Sequence, residues 1–109
     1  MKHTTLILAF LLMLCSPSWS ETVKNLVTRN ELFYEKFSNI PFTGTVSGNI
    51  KGNVKNGTPD GLWEWYHDNG QLNQIGTYKN GKWVGLWRWY DDQGNLSHTA
   101  TYKDGVLLE

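Results

Sequence analysis

The sequence predicts an all-β fold, an antiparallel meander of repeated β-hairpins one layer thick, with a less regular cap at its N-terminal end. Three observations lead there. Residues 52–75 and 76–99 align over 24 positions without a gap, and self-similarity at a fixed period marks a repeat architecture. Twelve of the aligned positions are identical, among them Trp63/Trp87, Trp65/Trp89, Tyr66/Tyr90, Gly52/Gly76, Gly57/Gly81, Gly61/Gly85 and Gly70/Gly94. Each copy also sets a short aromatic run, Leu62-Trp63-Glu64-Trp65-Tyr66 or Leu86-Trp87-Arg88-Trp89-Tyr90, between turn-forming residues, as strands require.

Residues 1–20 are expected to be removed. Lys2 and His3 precede nine unbroken apolar residues, 6–14, followed by Cys15-Ser16-Pro17-Ser18-Trp19-Ser20. A charged start, a short apolar core and small residues at Ser18 and Ser20 describe a secretory signal peptide cut after Ser20. The apolar run falls short of the ~20 residues that a membrane span needs. Lipidation at Cys15 is disfavoured because the bulky Leu14 precedes it, so soluble export to the periplasm or beyond is the expectation.

The cut leaves 89 residues with nine basic side chains against ten acidic, a net charge of −1, and no cysteine. That excludes a disulfide framework, a thiol nucleophile and a cysteine-based zinc site. Near-neutral charge argues against a nucleic-acid partner, because affinity for phosphate comes mainly from Lys and Arg. Without disulfides, a domain this small has to find its stability in contacts between repeats.

Residues 21–51 form the expected cap. Residues 21–30 are polar and read as either a short helix or an ordered arm. Residues 31–37 read as a strand, followed by another at 43–50. A repeat sheet needs its first edge covered, and this segment is the candidate.

The repeats run from 52 to 105, as 52–75, 76–99 and a partial copy at 100–105. Asp68-Asn69-Gly70 and Asp92-Gln93-Gly94 fit three-residue hairpin loops, with the glycine taking a left-handed conformation. Return strands follow at 71–79 and 95–103. Asn56-Gly57, Asn80-Gly81 and Asp104-Gly105 mark the second turn of each unit. Alternation puts Trp63 and Trp65 on one face and Leu62, Glu64 and Tyr66 on the other. Counting back from the loop sets Tyr66 opposite Leu72 and Trp63 opposite Ile75. Trp63 and Trp87 then lie two strands apart, about 9.5 Å. Residues 106–109 form a tail whose short strand leaves an unpaired edge.

Little in the chain suggests catalysis. His67 and His98, the two histidines beyond the leader, align with Asp91 and Gln74, so neither recurs in the repeat; they read as loop or surface residues. No Ser-His-Asp arrangement, phosphate loop or metal spacing is present. Asp60, Asp68, Asp91, Asp92 and Asp104 sit in or beside turns, where Asp68 and Asp92 are expected to bond the backbone rather than hold calcium. No cofactor or metal is expected. The array Trp63, Trp65, Trp87 and Trp89, with Trp83 in the connecting turn, has two readings. One is packing between repeats, which recurrence in register with the turn glycines favours. The other is a binding surface for a protein, a peptide or a carbohydrate, since Trp and Tyr concentrate at binding hot spots.

The pattern Gly61-Leu62-Trp63-Glu64-Trp65-Tyr66-His67-Asp68-Asn69-Gly70-Gln71-Leu72, then Gly76-Thr77-Tyr78-Lys79-Asn80-Gly81-Lys82, resembles the bacterial variant of the MORN repeat, over roughly residues 44–105. The resemblance implies elongated sheets of meandering hairpins and a role in protein–protein contact or scaffolding. The chain also resembles proteins grouped as YwqK-type antitoxins, which implies, as an alternative, neutralisation of a partner toxin. The partner expected from all of this is another protein.

Overall fold

The computed structural model describes residues 20–108. The expected signal peptide up to residue 19, Cys15 with it, and the last residue of the tail lie outside the described residues. Ten strands follow in chain order: β1 (Ser20–Thr22), β2 (Leu26–Arg29), β3 (Leu32–Glu35), β4 (Gly44–Ser47), β5 (Ile50–Lys55), β6 (Thr58–Tyr66), β7 (Leu72–Lys79), β8 (Lys82–Tyr90), β9 (Leu96–Lys103) and β10 (Val106–Leu107). Eight of them make one open sheet in the order β1-β4-β5-β6-β7-β8-β9-β10, while β2 and β3 pair separately. From β4 to β10 each strand is antiparallel to the next. The all-β hairpin meander is therefore what the chain forms.

The turns follow from local chemistry. Asn56-Gly57, Asn80-Gly81 and Asp104-Gly105 all hold positive φ at both positions, between 50° and 83°. That is the twist-matched two-residue hairpin turn, which Asn-Gly and Asp-Gly favour because they tolerate the left-handed region. The longer loops close with His67 N–H donating to Gln71 O at 2.8 Å and Asp91 N–H to Asn95 O at 2.8 Å. Gly70 and Gly94 take the left-handed position inside them.

Register departs from the simple count. Tyr66 does face Leu72, but Trp63 faces Gly76 rather than Ile75. A β-bulge between Trp65 and Tyr66 leaves one extra residue, Asn73, on the return strand. The second unit repeats it, with Trp87 opposite Ala100 and a bulge between Trp89 and Tyr90. Such bulges disturb the ladder locally and bend the strand.

A second irregularity matters more. Between the pairs Lys51↔Glu64 and Asn53↔Asp60, Gly52 of β5 faces three residues of β6, Gly61, Leu62 and Trp63. Gly76 likewise faces Gly85, Leu86 and Trp87. Gly61 and Gly85 make this possible with φ of 76° and 73°. The crowded strand folds its indole down onto the facing glycine: a Cβ on Gly52 would stand 2.2 Å from Trp63 Cδ2, and one on Gly76 1.9 Å from Trp87 Cδ2. Trp63 and Trp87 are 4% and 0% exposed as a result. The third equivalent position is Ala100. Among the described residues no indole of the following strand lies on it, and there a Cβ is tolerated.

The N-terminal segment differs from expectation. Residues 21–30 are neither a plain helix nor an arm: β1 runs parallel to β4, a 3-10 turn follows at Val23–Asn25, and β2 pairs with β3 through Arg29↔Leu32. Asn30 and Glu31 make that turn left-handed without a glycine. The β2–β3 hairpin lies over the aromatic face near β4 to β6. Leu26, Phe42, Val46, Val54 and Trp63 form the core there, with Phe33, Ile50, Trp65 and Tyr78 packed against it. Gly57 N–H donates to Phe42 O and Phe33 N–H to Gly57 O, at 2.7 and 2.8 Å, so backbone bonds fasten the hairpin down. Over the first repeat, then, the structure has two layers rather than one.

The glycine seats yield a contrast that urea denaturation can check. Gly76→Ala should cost about 3 kcal/mol, because the new methyl collides with a buried ring. Ala100→Gly should cost only about 0.5–1 kcal/mol, the entropy of a glycine in a strand.

Candidate functional site

Strand alternation gathers Trp63, Trp65, Tyr78, Trp83, Trp87, Trp89 and Tyr102 on one face, while Leu62, Glu64, Tyr66, Leu86 and Arg88 take the other. One row crosses four strands in register: Trp65 on β6, Gln74 on β7, Trp89 on β8 and His98 on β9. Trp89 and His98 stack at 4.4 Å between centroids with planes 4° apart. Closer to the two-residue turns stand Tyr78, Trp83 and Tyr102. The rings interlock by offset and edge-on contacts, as with Trp65–Trp87 at 5.8 Å and Tyr78–Trp87 at 5.5 Å and 82°, the geometries that ring quadrupoles prefer.

Trp83 is not in the connecting turn, where the sequence suggested it, but on β8 opposite Tyr78. Its ring lies on Trp87 with centroids 3.8 Å apart and planes 11° apart. Residues four apart in a regular strand would be separated by about 13 Å; the left-handed kink at Gly85 brings them together. The first repeat has Pro59 at the matching position, and the ring over Trp63 comes from elsewhere. Phe33 of the N-terminal hairpin stacks on it at 6.4 Å and 13°. The same seat is thus covered by a separate element in one repeat and by the strand itself in the next.

The two buried indoles also differ in their N–H groups. Trp63 Nε1–H donates to Asn53 O at 3.0 Å, whereas Trp87 Nε1 is buried with no acceptor among the described residues. An unpaired buried donor costs about 1–3 kcal/mol, so stacking carries the second repeat against a penalty the first does not bear. Tyr78 is half-buried among these rings, and its phenol pKa is raised, chiefly by desolvation and against the Trp83 N–H, which lowers it.

Of the five tryptophans singled out by the sequence, Trp63 and Trp87 are buried, and Trp65, Trp83 and Trp89 are half exposed. The face they share also holds Gln74, His98 and Tyr102. Those residues were legible in principle: Tyr102 repeats Tyr78, and His98 follows from the pairing of β9 with β8. His98 is an exposed strand residue, the surface alternative of the sequence reading. His67 does lie in the loop, directly after β6, and its Nε2 sits 3.0 Å from Tyr90 O.

The loops at that end are joined across repeats. Asn69 Nδ2–H donates to Asp92 O at 2.6 Å. The backbone-bonding side chains are Asn69 and Asp91, not Asp68 and Asp92 as expected. Asn69 Oδ1 accepts from Gln71 N–H, and Asp91 Oδ1 accepts from Gln93 and Asn95 N–H. The Asn95 backbone bond is the main reason the Asp91 carboxyl titrates below its ordinary 3.8. At the other end of the chain, Glu35 is raised by its hydrogen bond with Glu21, which Asn25 in turn holds down. Among the described residues no three of His, Cys, Asp or Glu come together as a metal cluster, and no helix is long and apolar enough to cross a membrane.

Fold and face define a class of protein: a β-hairpin repeat protein that displays an aromatic surface. Residues 59–80 and 83–104 each match the family described as the MORN repeat variant. One match spans β6 and β7, the other β8 and β9. No curated protein and no solved structure matches, so the comparisons support the repeat and add nothing to the antitoxin resemblance.

Burial sorts the tryptophans by expected effect. Trp87→Ala should lose about 3–5 kcal/mol in denaturant melts, and Trp89→Ala about 1 kcal/mol or less. Asp91 sets an acid dependence. A carboxyl held below its unfolded pKa stabilises the fold above 3.8 and loses that contribution as pH falls through the lowered value. Acid titration of Asp91→Ala should therefore show a shallower loss of stability below pH 3.8 than the parent chain.

Proposed function

We propose that the chain is an exported, non-catalytic repeat protein of the cell envelope that binds another protein through the aromatic face of its second repeat. One observation carries this reading. The N-terminal hairpin covers the face at the first repeat with Phe33, while among the described residues no such element covers Trp83, Trp89, His98 and Tyr102 of the second repeat. Half-exposed indoles beside Gln74 and His98 combine apolar area with polar edges, the composition of binding hot spots. The matches to a repeat associated with protein contact agree with it, as does the signal-like leader in the sequence.

The test is retention of an envelope protein on the immobilised chain. Trp89→Ala and His98→Ala should each weaken retention about tenfold or more, while Leu62→Ala on the opposite face should leave it unchanged. Equal loss with all three, or none, would remove the aromatic face from the reading. Elution by soluble oligosaccharide would move the ligand class to carbohydrate. For the exported state, N-terminal sequencing of the protein recovered from the envelope should begin at Glu21.

A further inference from the structure

We propose that copies of this chain join head to tail, the outer edge of β10 in one copy adding to the outer edge of β2 in the next. The contact uses neither the aromatic face nor the partner proposed above.

Both edges are bare. Among the described residues β2 pairs only with β3, and β10 only with β9. An unpaired strand edge is a template for another strand, and short edges need side-chain contacts to select the partner. Those contacts are unusual at β2. A groove of 610 Å³ beside it is lined by Val27, Arg29, Lys36, Phe37 and Asn39. Phe37 is fully exposed, and Ile40 nearby is 76% exposed. Phe37 also holds φ of +68°, a left-handed conformation that is strained for a bulky residue.

The loop is braced in that shape. Arg29 Nη1–H donates to Asn39 Oδ1 at 3.4 Å and Nη2–H to Ser38 O, and the guanidinium stands 4.2 Å over the Tyr34 ring. Exposure of Phe37 is therefore built in, and a rigid apolar projection loses little entropy on binding.

Charge narrows the occupant. The charged side chains lining the groove are Arg29 and Lys36, both cationic, so what fills it should be apolar and carry a carboxylate. The chain has such a segment. Val106, Leu107 and Leu108 are consecutive, 63%, 57% and 58% exposed, and follow the Asp104-Gly105 turn that supplies the carboxylate. The β2–β3 hairpin sits over the β4–β6 end of the sheet, whereas β10 closes the other end. One copy's two surfaces are thus different patches, and repetition of the contact extends a chain of copies instead of closing a symmetric pair.

Sedimentation velocity of the purified chain at rising concentration tests this, with Phe37→Asp and Leu107→Asp as variants. Self-association should appear in the parent, and each variant should weaken it about thirtyfold or more. An equimolar mixture of the two variants retains one good surface of each kind, so it should form a heterodimer and nothing larger. Tryptophan fluorescence matching the parent shows that the variants fold; if either does not, Phe37→Ser and Leu107→Thr replace them. A parent chain monomeric at about 1 mM, variants that associate like the parent, or a mixture without heterodimer would each overturn the proposal. Co-sedimentation of a monomeric parent with anionic vesicles, lost in Phe37→Asp, would assign the loop to a lipid surface and overturn it as well.

Discussion

An indole laid flat on a glycine backbone is the contact from which the rest of this structure follows. Trp63 on Gly52 and Trp87 on Gly76 approach so closely that no Cβ fits between them. The approach requires three residues of one strand to face one of its neighbour, and that in turn requires left-handed glycines at 61 and 85. Two glycines and a tryptophan at fixed offsets are thereby bound into one unit. A 24-residue period is the sequence record of that unit. Burial of large rings on a thin sheet also supplies stability that a chain with a single cysteine cannot take from an internal disulfide.

The two repeats solve one covering problem in different ways. An indole on a single sheet shows its outer face to water unless something lies over it. Phe33, delivered by a hairpin from the N-terminal segment, does this for Trp63. Trp83, delivered by the kink at Gly85, does it for Trp87. The first solution builds a small two-layer core with Leu26, Phe42, Val46 and Val54. The second builds no layer, and leaves Trp83, Trp89 and Tyr102 half exposed. This asymmetry between near-identical repeats gives the molecule a closed end and an open one, and the proposed binding face lies at the open one.

The loops show how a repeat becomes rigid without a thick core. Asn69 reaches the carbonyl of Asp92, and His67 lies within hydrogen-bond distance of the carbonyl of Tyr90, so the loop of the first hairpin is linked to that of the second. Asp91 and Asn69 occupy different positions of the repeat, yet both accept backbone N–H bonds inside their loops. The loop shape is shared although the residue that supports it is not. Counting equivalent positions therefore picked Asp68 and Asp92, which the backbone does not use.

What the sequence alone determined is local or periodic. Asn56-Gly57, Asn80-Gly81 and Asp104-Gly105 specify their turns because such residues accept two successive left-handed conformations with least strain, and the alternation of Trp63, Glu64 and Trp65 specifies their faces. The tertiary structure decided what depends on distant partners. A bulge moved Trp63 from Ile75 to Gly76, since one extra residue shifts every pairing beyond it. Phe33 found Trp63 across thirty positions of chain that carry no period. Burial of Trp63 and Trp87, against half-exposure of Trp65, Trp83 and Trp89, was set by what lay above each ring, and only three-dimensional packing supplies that.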